Sequence, residues 1–305
     1  MRAFNGAAGQ YHAFCILVVD GSMKRAFTQF WRGGYSALPG YRFSLLFTVF
    51  WTGFFIILPL CALIIRPWQD GVGPVVAELH DARMFAALWT SFSTAAVAAF
   101  LNIPLGLFLA WMLVRGDLPG RHIANALIDI PLALPTAVSG ITLATLYSPQ
   151  GWLGYPLSKL GISVAYTRSG IVLALMFVGL PFMVRTVEPV LKNLPQELEE
   201  AAKLLGARPR QIITRVIIAP LRPALLTGFG LAFARGVGEY GSVIFIAGNQ
   251  PFKSEIAPLL IVVRLQEFDY PGATAIALIL LLASLSVLVC LGVLRRRISA
   301  WSVGA

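Results

Sequence analysis

The side chains that most often perform covalent or metal chemistry are sparse in this sequence. The 305 residues include only three cysteines and three histidines. The cysteines lie far apart, and the histidines have no spacing typical of metal ligands. The sequence has no G-x-x-x-x-G-K-[ST] loop, so any ATP that the protein uses is expected to bind another chain. We therefore predict no catalytic residue, no metal site and no cofactor in this chain.

Hydroxyl residues that follow two prolines form the first group that could bind a ligand. Pro131 and Pro135 interrupt the hydrogen-bond ladder of an otherwise apolar helix. The hydroxyls and free backbone N–H groups near such a break could donate hydrogen bonds to an oxyanion at membrane depth. The candidate residues of this translocation pathway or gate are Thr136, Ser139, Gly140 and Thr142. The alternative is that small and hydroxyl side chains only allow helices to pack closely here.

An opposite-charge pair, Arg235 and Glu239, falls within another apolar segment. Four residues apart on a helix, the two side chains share one face and can pair. Charges in a membrane segment are costly, so this pair is expected to face protein or water. Arg235 could meet an anion in a pathway or gate, or the pair could fix its helix against neighbouring helices.

A polar segment between apolar runs predicts a short amphipathic helix outside the membrane. Pro195 suits the first turn of a helix, and three glutamates follow it near the positive end of the helix dipole. Apolar side chains then recur at helical spacing on one face: Leu198, Ala201, Ala202 and Leu205. Gly206 can adopt the left-handed conformation that ends a helix. The helix could bind a protein partner or lie in the lipid interface, although its acidic start disfavours an anionic lipid surface.

Composition shows that the elements holding these residues span a membrane. Hydrophobic residues make up 57% of the chain and charged residues only 12%, against roughly 25% charged residues in ordinary soluble domains. Helices that cross the hydrocarbon core need about 20 apolar residues. Six such segments are predicted, at residues 43–65, 84–114, 123–148, 171–190, 213–247 and 272–294. The predicted fold is an all-α polytopic membrane protein.

The distribution of basic residues predicts the orientation of these spans. Of the 24 lysine and arginine residues, 16 lie before the first span, in the loops after the second and fourth spans, or in the C-terminal tail, and 6 lie in the alternate loops. The positive-inside rule therefore places both termini in the cytoplasm. The predicted organisation is a basic extension at 1–42, a transmembrane domain at 43–297 with a cytoplasmic loop at about 191–212, and a cytoplasmic tail at 298–305. A true start at Met23 is an alternative.

The cytoplasmic loop resembles a motif of a known family. Glu200, Ala201 and Ala202, followed by Gly206 and an apolar stretch that ends at Pro220, are similar to the EAA loop of ABC importer permeases. The proline stands one position later than in the family pattern. In that family the loop forms a coupling helix that docks on the ATPase subunit. The resemblance implies this role for Glu200, Ala201, Ala202, Leu205 and Gly206.

Two further segments resemble the sulfate and molybdate permeases of this class. Residues 129–140 are similar to the signature of their third span, and residues 238–249 and 264–273 are similar to the sulfate/thiosulfate members, closest to their T-type permease subunits. The resemblance covers residues 35–297 and implies a type I ABC importer permease fold in the bacterial inner membrane. It implies these partners: a second related permease subunit, a homodimeric cytoplasmic ATPase that binds ATP, a periplasmic oxyanion-binding protein and membrane lipid, with no nucleic acid.

Two alternatives stay open at this point. A molybdate or tungstate permease belongs to the same class. A secondary transporter driven by an ion gradient would want more intramembrane carboxylates than this sequence offers and would need no docking loop.

Overall fold

A computed structural model describes residues 41–69, 71–116 and 119–303, with side chains described from 43 to 295 within these ranges. Nearly all of the predicted basic extension at 1–42 lies outside the described residues. Besides a short 3-10 helix at Arg66–Trp68, twelve helices lie within the described part of the chain: α1 Tyr41–Ile65, α2 Gly73–His80, α3 Ala82–Arg115, α4 Arg121–Ala133, α5 Thr136–Tyr147, α6 Gly154–Lys159, α7 Arg168–Lys192, α8 Glu197–Leu204, α9 Pro209–Val237, α10 Val243–Ile246, α11 Ala257–Gln266 and α12 Tyr270–Val303. Helix α9 includes a π-helical segment at Ile212–Ile217.

The chain divides by its contacts into two units, Met1–Cys61 and Ala62–Ala305. The described part of the first unit belongs to α1, a 25-residue apolar helix. Aromatic side chains pack along this helix, and the rings of Trp51 and Phe55 stack with their centroids 5.2 Å apart. This helix matches the first predicted span.

Among the described residues, five helices are long and apolar enough to span a membrane: α1, α3, α7, α9 and α12. The predicted third span is broken, as its prolines predict: it consists of α4 and α5, which meet at an angle of 107°. The pair brings the number of spans to six if it crosses the membrane as one unit. The predicted fifth span, 213–247, is corrected. Its helix ends at Val237, and the rest of the apolar run forms a turn and the single-turn helix α10. The last helix continues into the predicted tail, as far as Val303.

The core of the second unit is formed by α3, α7 and α9, which pack through small residues. Gly106 of α3 and Gly228 of α9 contact Met183 of α7 from two sides. The fully buried Asn102 donates a hydrogen bond of 3.1 Å to the Met176 carbonyl of α7. Close backbone approach increases dispersion contacts, which hold helices together where lipid is as apolar as the side chains.

This packing predicts different outcomes for two glycines of the same helix. A Cβ at Gly228 would lie 2.7 Å from the Met183 sulfur and 3.2 Å from its Cα, whereas a Cβ at Gly230 would have Leu291 at 3.9 Å as its nearest neighbour. We expect Gly228→Ala to destabilise the purified protein by about 1–3 kcal/mol through overpacking, and Gly230→Ala to be neutral or slightly stabilising. Thermal unfolding in detergent measures both, and equal melting temperatures would contradict the packing argument.

Candidate functional site

The polar segment after α7 folds as the predicted amphipathic helix, α8. The helix ends as the sequence predicts, because Gly206 takes a left-handed conformation with φ of 77°. The N–H groups of Gly206 and Ala207 donate to the carbonyls of Lys203 and Ala202, at 2.9 and 3.0 Å. These bonds satisfy carbonyls that have no partner within the helix.

One side of α8 is anchored to the membrane helices. Glu199 pairs with Arg115 at the end of α3 at 3.1 Å, with both side chains largely buried. Arg115 also donates to the Leu194 carbonyl at 2.8 Å. Ala202 packs against the apolar cluster formed by α3, α7 and α9. The helix is therefore tied both to the end of α3 and to the start of α9.

The other side of α8 is uncovered in the described chain and presents apolar side chains beside charged ones. Leu204 and Leu205 are 89% and 88% exposed, and Leu198, Glu200 and Ala201 are also exposed. The predicted single apolar stripe is thus corrected, because Ala202 faces the protein while Leu198, Ala201 and Leu205 face outward. Adjacent leucines with this exposure, next to a small alanine, form a surface that suits a protein partner.

The first turns of α5 and the loop at 238–242, which both belong to segments singled out by the sequence analysis, contact each other in the structure. A Cβ on Gly140 of α5 would lie 2.3 Å from the Ser242 carbonyl oxygen, and a Cβ on Gly241 would lie 2.2 Å from Thr136 Oγ1. The first turn of α5 therefore packs directly on the loop at 238–242. The sequence nominated residues in both segments, but their contact was not predicted.

The predicted pair of Arg235 and Glu239 forms, in a different setting from that expected. Arg235 lies in the last turn of α9, whereas Glu239 lies in the loop beyond its end. Glu239 is 2% exposed and accepts hydrogen bonds from the N–H and hydroxyl of Ser242, at 3.0 and 3.1 Å. The Arg235 side chain is partly exposed. The pair thus holds the loop that contacts α5.

The hydroxyl groups of Ser139 and Thr142 are directed to carbonyls four residues earlier in the chain. Thr142 is exposed and donates to the Val138 carbonyl at 2.9 Å, and the buried Ser139 lies 3.4 Å from the Pro135 carbonyl. Thr142 therefore has the accessibility that a pathway residue needs, whereas Ser139 has the environment of a packing residue.

A second charged network was missed by the sequence analysis. Asp129 of α4 accepts two hydrogen bonds from Arg185 of α7, at 3.0 and 2.5 Å. Arg185 also donates to Glu188 at 2.7 Å, and Lys192 donates to the same glutamate at 2.6 Å. The sequence offered no signal for the first contact, because its two residues are 56 positions apart. The network clamps α4 to α7 within about two turns of the end of α7.

The segment at 264–273 also has a structural role. Arg264 contacts Glu78 at 3.1 Å and Asp81 at 2.9 Å, so it joins α11 to α2 and to the start of α3. Burial raises the pKa of the Glu78 carboxyl, and the charge of Arg264 partly opposes this effect. Asp269 caps the start of α12 by accepting from the Gly272 N–H at 3.0 Å. Within the described residues, no group of three or more His, Cys, Asp or Glu side chains could hold a metal ion.

Comparison with known proteins identifies the class to which this arrangement is similar. Residues 102–300 match the family described as binding-protein-dependent transport system inner membrane component. The sulfate transport system permease protein CysT of Escherichia coli K12 is 44% identical over 88% of this chain and 96% of its own. A probable sulfate transport system permease protein of Nephroselmis olivacea is 49% identical over 77% of this chain and 83% of its own.

Solved structures are similar in fold. A bacterial ABC transporter involved in alginate import matches with a TM-score of 0.69 at 17% identity, covering 83% of this chain and 94% of that one. The MetNI methionine ABC transporter matches with a TM-score of 0.51 at 19% identity, covering 71% of this chain and 95% of that one.

Because Glu239 is buried, removal of its cation Arg235 is predicted to lower the stability of the protein. Arg235→Gln leaves a buried carboxylate without its cation, so we expect a loss of about 1–3 kcal/mol in unfolding free energy. The double variant Arg235→Gln with Glu239→Gln should recover most of this loss, because it has no unpaired charge and the amide oxygen can still accept from Ser242. Melting temperatures of the purified proteins measure both, and Arg222→Gln, at an exposed site of the same helix, is the control. A double variant that is no more stable than Arg235→Gln would contradict a structural role for the pair.

Proposed function

This chain belongs to the family of binding-protein-dependent transport system inner membrane components, and from that premise we propose that it translocates sulfate or thiosulfate as one permease subunit of an ATP-driven importer. It is a multi-pass permease subunit of the ABC importer class. The proposed substrate rests on relatives at 41–49% identity that are named sulfate transport permeases. The observation that supports the proposed mechanism best is the outward-facing apolar surface of α8, anchored on its other side to α3.

The proposed docking surface consists of Glu200, Ala201, Leu204, Leu205 and Gly206. The two leucines supply apolar area, the alanine allows close approach, and the glycine turns the chain sharply away from the helix. We assign ATP binding to a separate homodimeric ATPase that contacts this surface, so this chain itself needs no cofactor and no catalytic residue. Ala202 supports the surface from behind through its contact with the apolar cluster.

The proposed pathway runs beside the first turn of α5 and the loop at 238–242. Thr142 is the exposed α5 residue of this pathway, whereas Thr136, Ser139 and Gly140 hold α5 against its neighbours and so position it. Arg235 offers a partly exposed fork of N–H donors that suits an oxyanion, while Glu239 positions that fork. Because Glu239 partly neutralises the charge of Arg235, a tetrahedral oxyanion would bind to Arg235 weakly enough to be released along the pathway.

The proposed assembly contains a second, related permease subunit that completes the pathway, and a periplasmic binding protein that delivers the oxyanion. Both termini and α8 lie in the cytoplasm, whereas α6 and the loops before α7 and after α10 lie on the periplasmic side. The support for this orientation is the distribution of lysine and arginine over the alternate loops. The membrane is the bacterial inner membrane.

Reconstitution tests the substrate and the energy source together. The chain is purified with its co-expressed partners, placed in liposomes and supplied with binding protein. We expect sulfate or thiosulfate to stimulate ATP hydrolysis and ³⁵S uptake. Stimulation by molybdate or tungstate alone would favour the related permease class, and uptake driven by an ion gradient without ATP would contradict an importer.

In that system, Leu205→Ser tests the docking surface. An exposed leucine at an interface is worth about 1–2 kcal/mol, so ATPase affinity should fall roughly five- to thirtyfold. Folding should be unchanged, because this side chain makes few contacts within the chain. Leu160→Ser, at a site 75% exposed at the opposite end, is the matched control. Equal ATPase retention by the two variants would contradict the assignment of α8.

Cysteine labelling tests the orientation. In a background without the three native cysteines, Leu160→Cys should react with a membrane-impermeant maleimide in intact cells. Leu205→Cys should react only after the membrane is permeabilised. The reverse pattern would invert the proposed topology.

A further inference from the structure

An open cavity of about 390 Å³, lined by both polar and aromatic side chains, lies at the end of the second unit opposite α8. It forms between the residues that enter α7 and the loop after α10, which are joined by a hydrogen bond of 2.7 Å from the Tyr166 N–H to the Ile246 carbonyl. Helix α7 has 25 residues, so its length separates the cavity from the α8 end by about 37 Å. The proposed pathway and coupling residues do not line this cavity.

The cavity is lined by two cations and by no carboxylate. Arg168 donates through Nε to the Lys253 carbonyl at 2.5 Å and through Nη2 to the Phe252 carbonyl at 3.4 Å. These bonds fix the guanidinium and use two of its five N–H groups. Among the described residues, the ammonium of Lys253 and the side-chain amide of Gln250 have no hydrogen-bond partner, and neither cation forms a salt bridge. Two positive charges and a neutral amide donor therefore border the same cavity.

The backbone around the cavity is held in an unusual conformation. Tyr166, Asn249 and Phe252 have φ values of 63°, 45° and 63°, and they are three of the four non-glycine residues with positive φ in the described chain. Such conformations are sparsely populated for residues with a Cβ and persist where the surrounding contacts enforce them. Here the carbonyls that bond Arg168 come from Phe252 and its neighbour, so the strained turn fixes the orientation of the cation.

We propose that this cavity is a binding subsite for a tetrahedral oxyanion at the periplasmic mouth of the permease. The inference rests on the proposed function, since it assigns the same substrate class to a second place in the chain. The planar fork of Arg168 matches two oxygens of such an anion, Lys253 supplies a second positive charge, and Gln250 supplies neutral donors. A cationic site without competing carboxylates raises the local concentration of a divalent anion before it reaches the membrane-embedded pathway.

Equilibrium binding of ³⁵S-sulfate to the purified full-chain transporter, without binding protein and at constant ionic strength, tests the subsite. Lys253→Gln is the main variant, because Arg168 is held by the backbone carbonyl of residue 253, which the substitution keeps. We expect Lys253→Gln to weaken sulfate binding at least fivefold, and Arg168→Gln to weaken it further. Lys159→Gln is the matched control, since that lysine lies on the same side, over the ring of Tyr155 at 4.4 Å. Its affinity should stay within twofold of the wild type.

Three outcomes would overturn the proposal: no saturable sulfate binding by the wild type, equal affinity for the wild type and Lys253→Gln, or an equal loss in Lys159→Gln. If Lys253→Gln binds sulfate normally but associates more weakly with the binding protein, the proposal is also overturned, and the cavity is instead a contact for a carboxylate of that protein. Uptake assays separate this proposal from the proposed function. Saturable sulfate binding that depends on Lys253, without sulfate uptake, would support the subsite and contradict the proposed function. Sulfate uptake without such binding would support the proposed function and contradict the subsite.

Discussion

The backbone of a membrane-embedded segment can be irregular only where protein, rather than lipid, supplies its hydrogen-bond partners and covers it. The break between α4 and α5 is such a place, because Pro135 stands directly before α5 and has no backbone N–H, whereas Pro131 lies within α4. The loop at 238–242 packs on the first turn of α5, close enough that neither Gly140 nor Gly241 could carry a side chain. The sharp bend and the loop therefore require each other. Most of the candidate pathway residues lie at this junction of α5 with the loop at 238–242, where protein must cover an irregular backbone.

The junction is connected to the coupling surface by a single helix. At 29 residues, α9 is about 44 Å long. Its start packs in the same apolar cluster as Ala202 of α8, and its end carries Arg235, which binds the Glu239 that holds Ser242. A displacement of α8 by a partner would reach the broken span through this helix without local unfolding. This connection gives the proposed coupling a physical route of packed side chains and hydrogen bonds.

Local features of this structure could be predicted from the sequence, and long-range ones could not. The end of α8 at Gly206 and the pairing of Arg235 with Glu239 depend on residues within one or two turns, so spacing was enough to predict them. The pairing of Asp129 with Arg185 joins two helices, and no periodicity contains that information. The prolines predicted a break in the third span, but neither its angle of 107° nor the contact of α5 with the loop at 238–242 follows from them. The inward position of Ala202 depends on where Arg115 anchors α8, which is again a tertiary contact.

The distribution of charges explains how such a chain can move as a body. Ion pairs bind the helices at both ends: Arg115–Glu199 and Arg185–Asp129 near α8, and Arg83–Glu255 with the Arg264 cluster at the opposite end. Between the two sets of ion pairs, α3, α7 and α9 pack through glycine, alanine and Met183. Ion pairs are directional and fix the axial register of the helices, whereas close apolar packing resists sliding because interiors deform little. A core that is fixed at both ends and close-packed between them does not rearrange internally at small cost. Under the proposed function, we therefore expect the motion that carries a substrate across to occur where this core meets other surfaces: at α8, at the exposed face of α5, and at the boundary with the proposed second subunit.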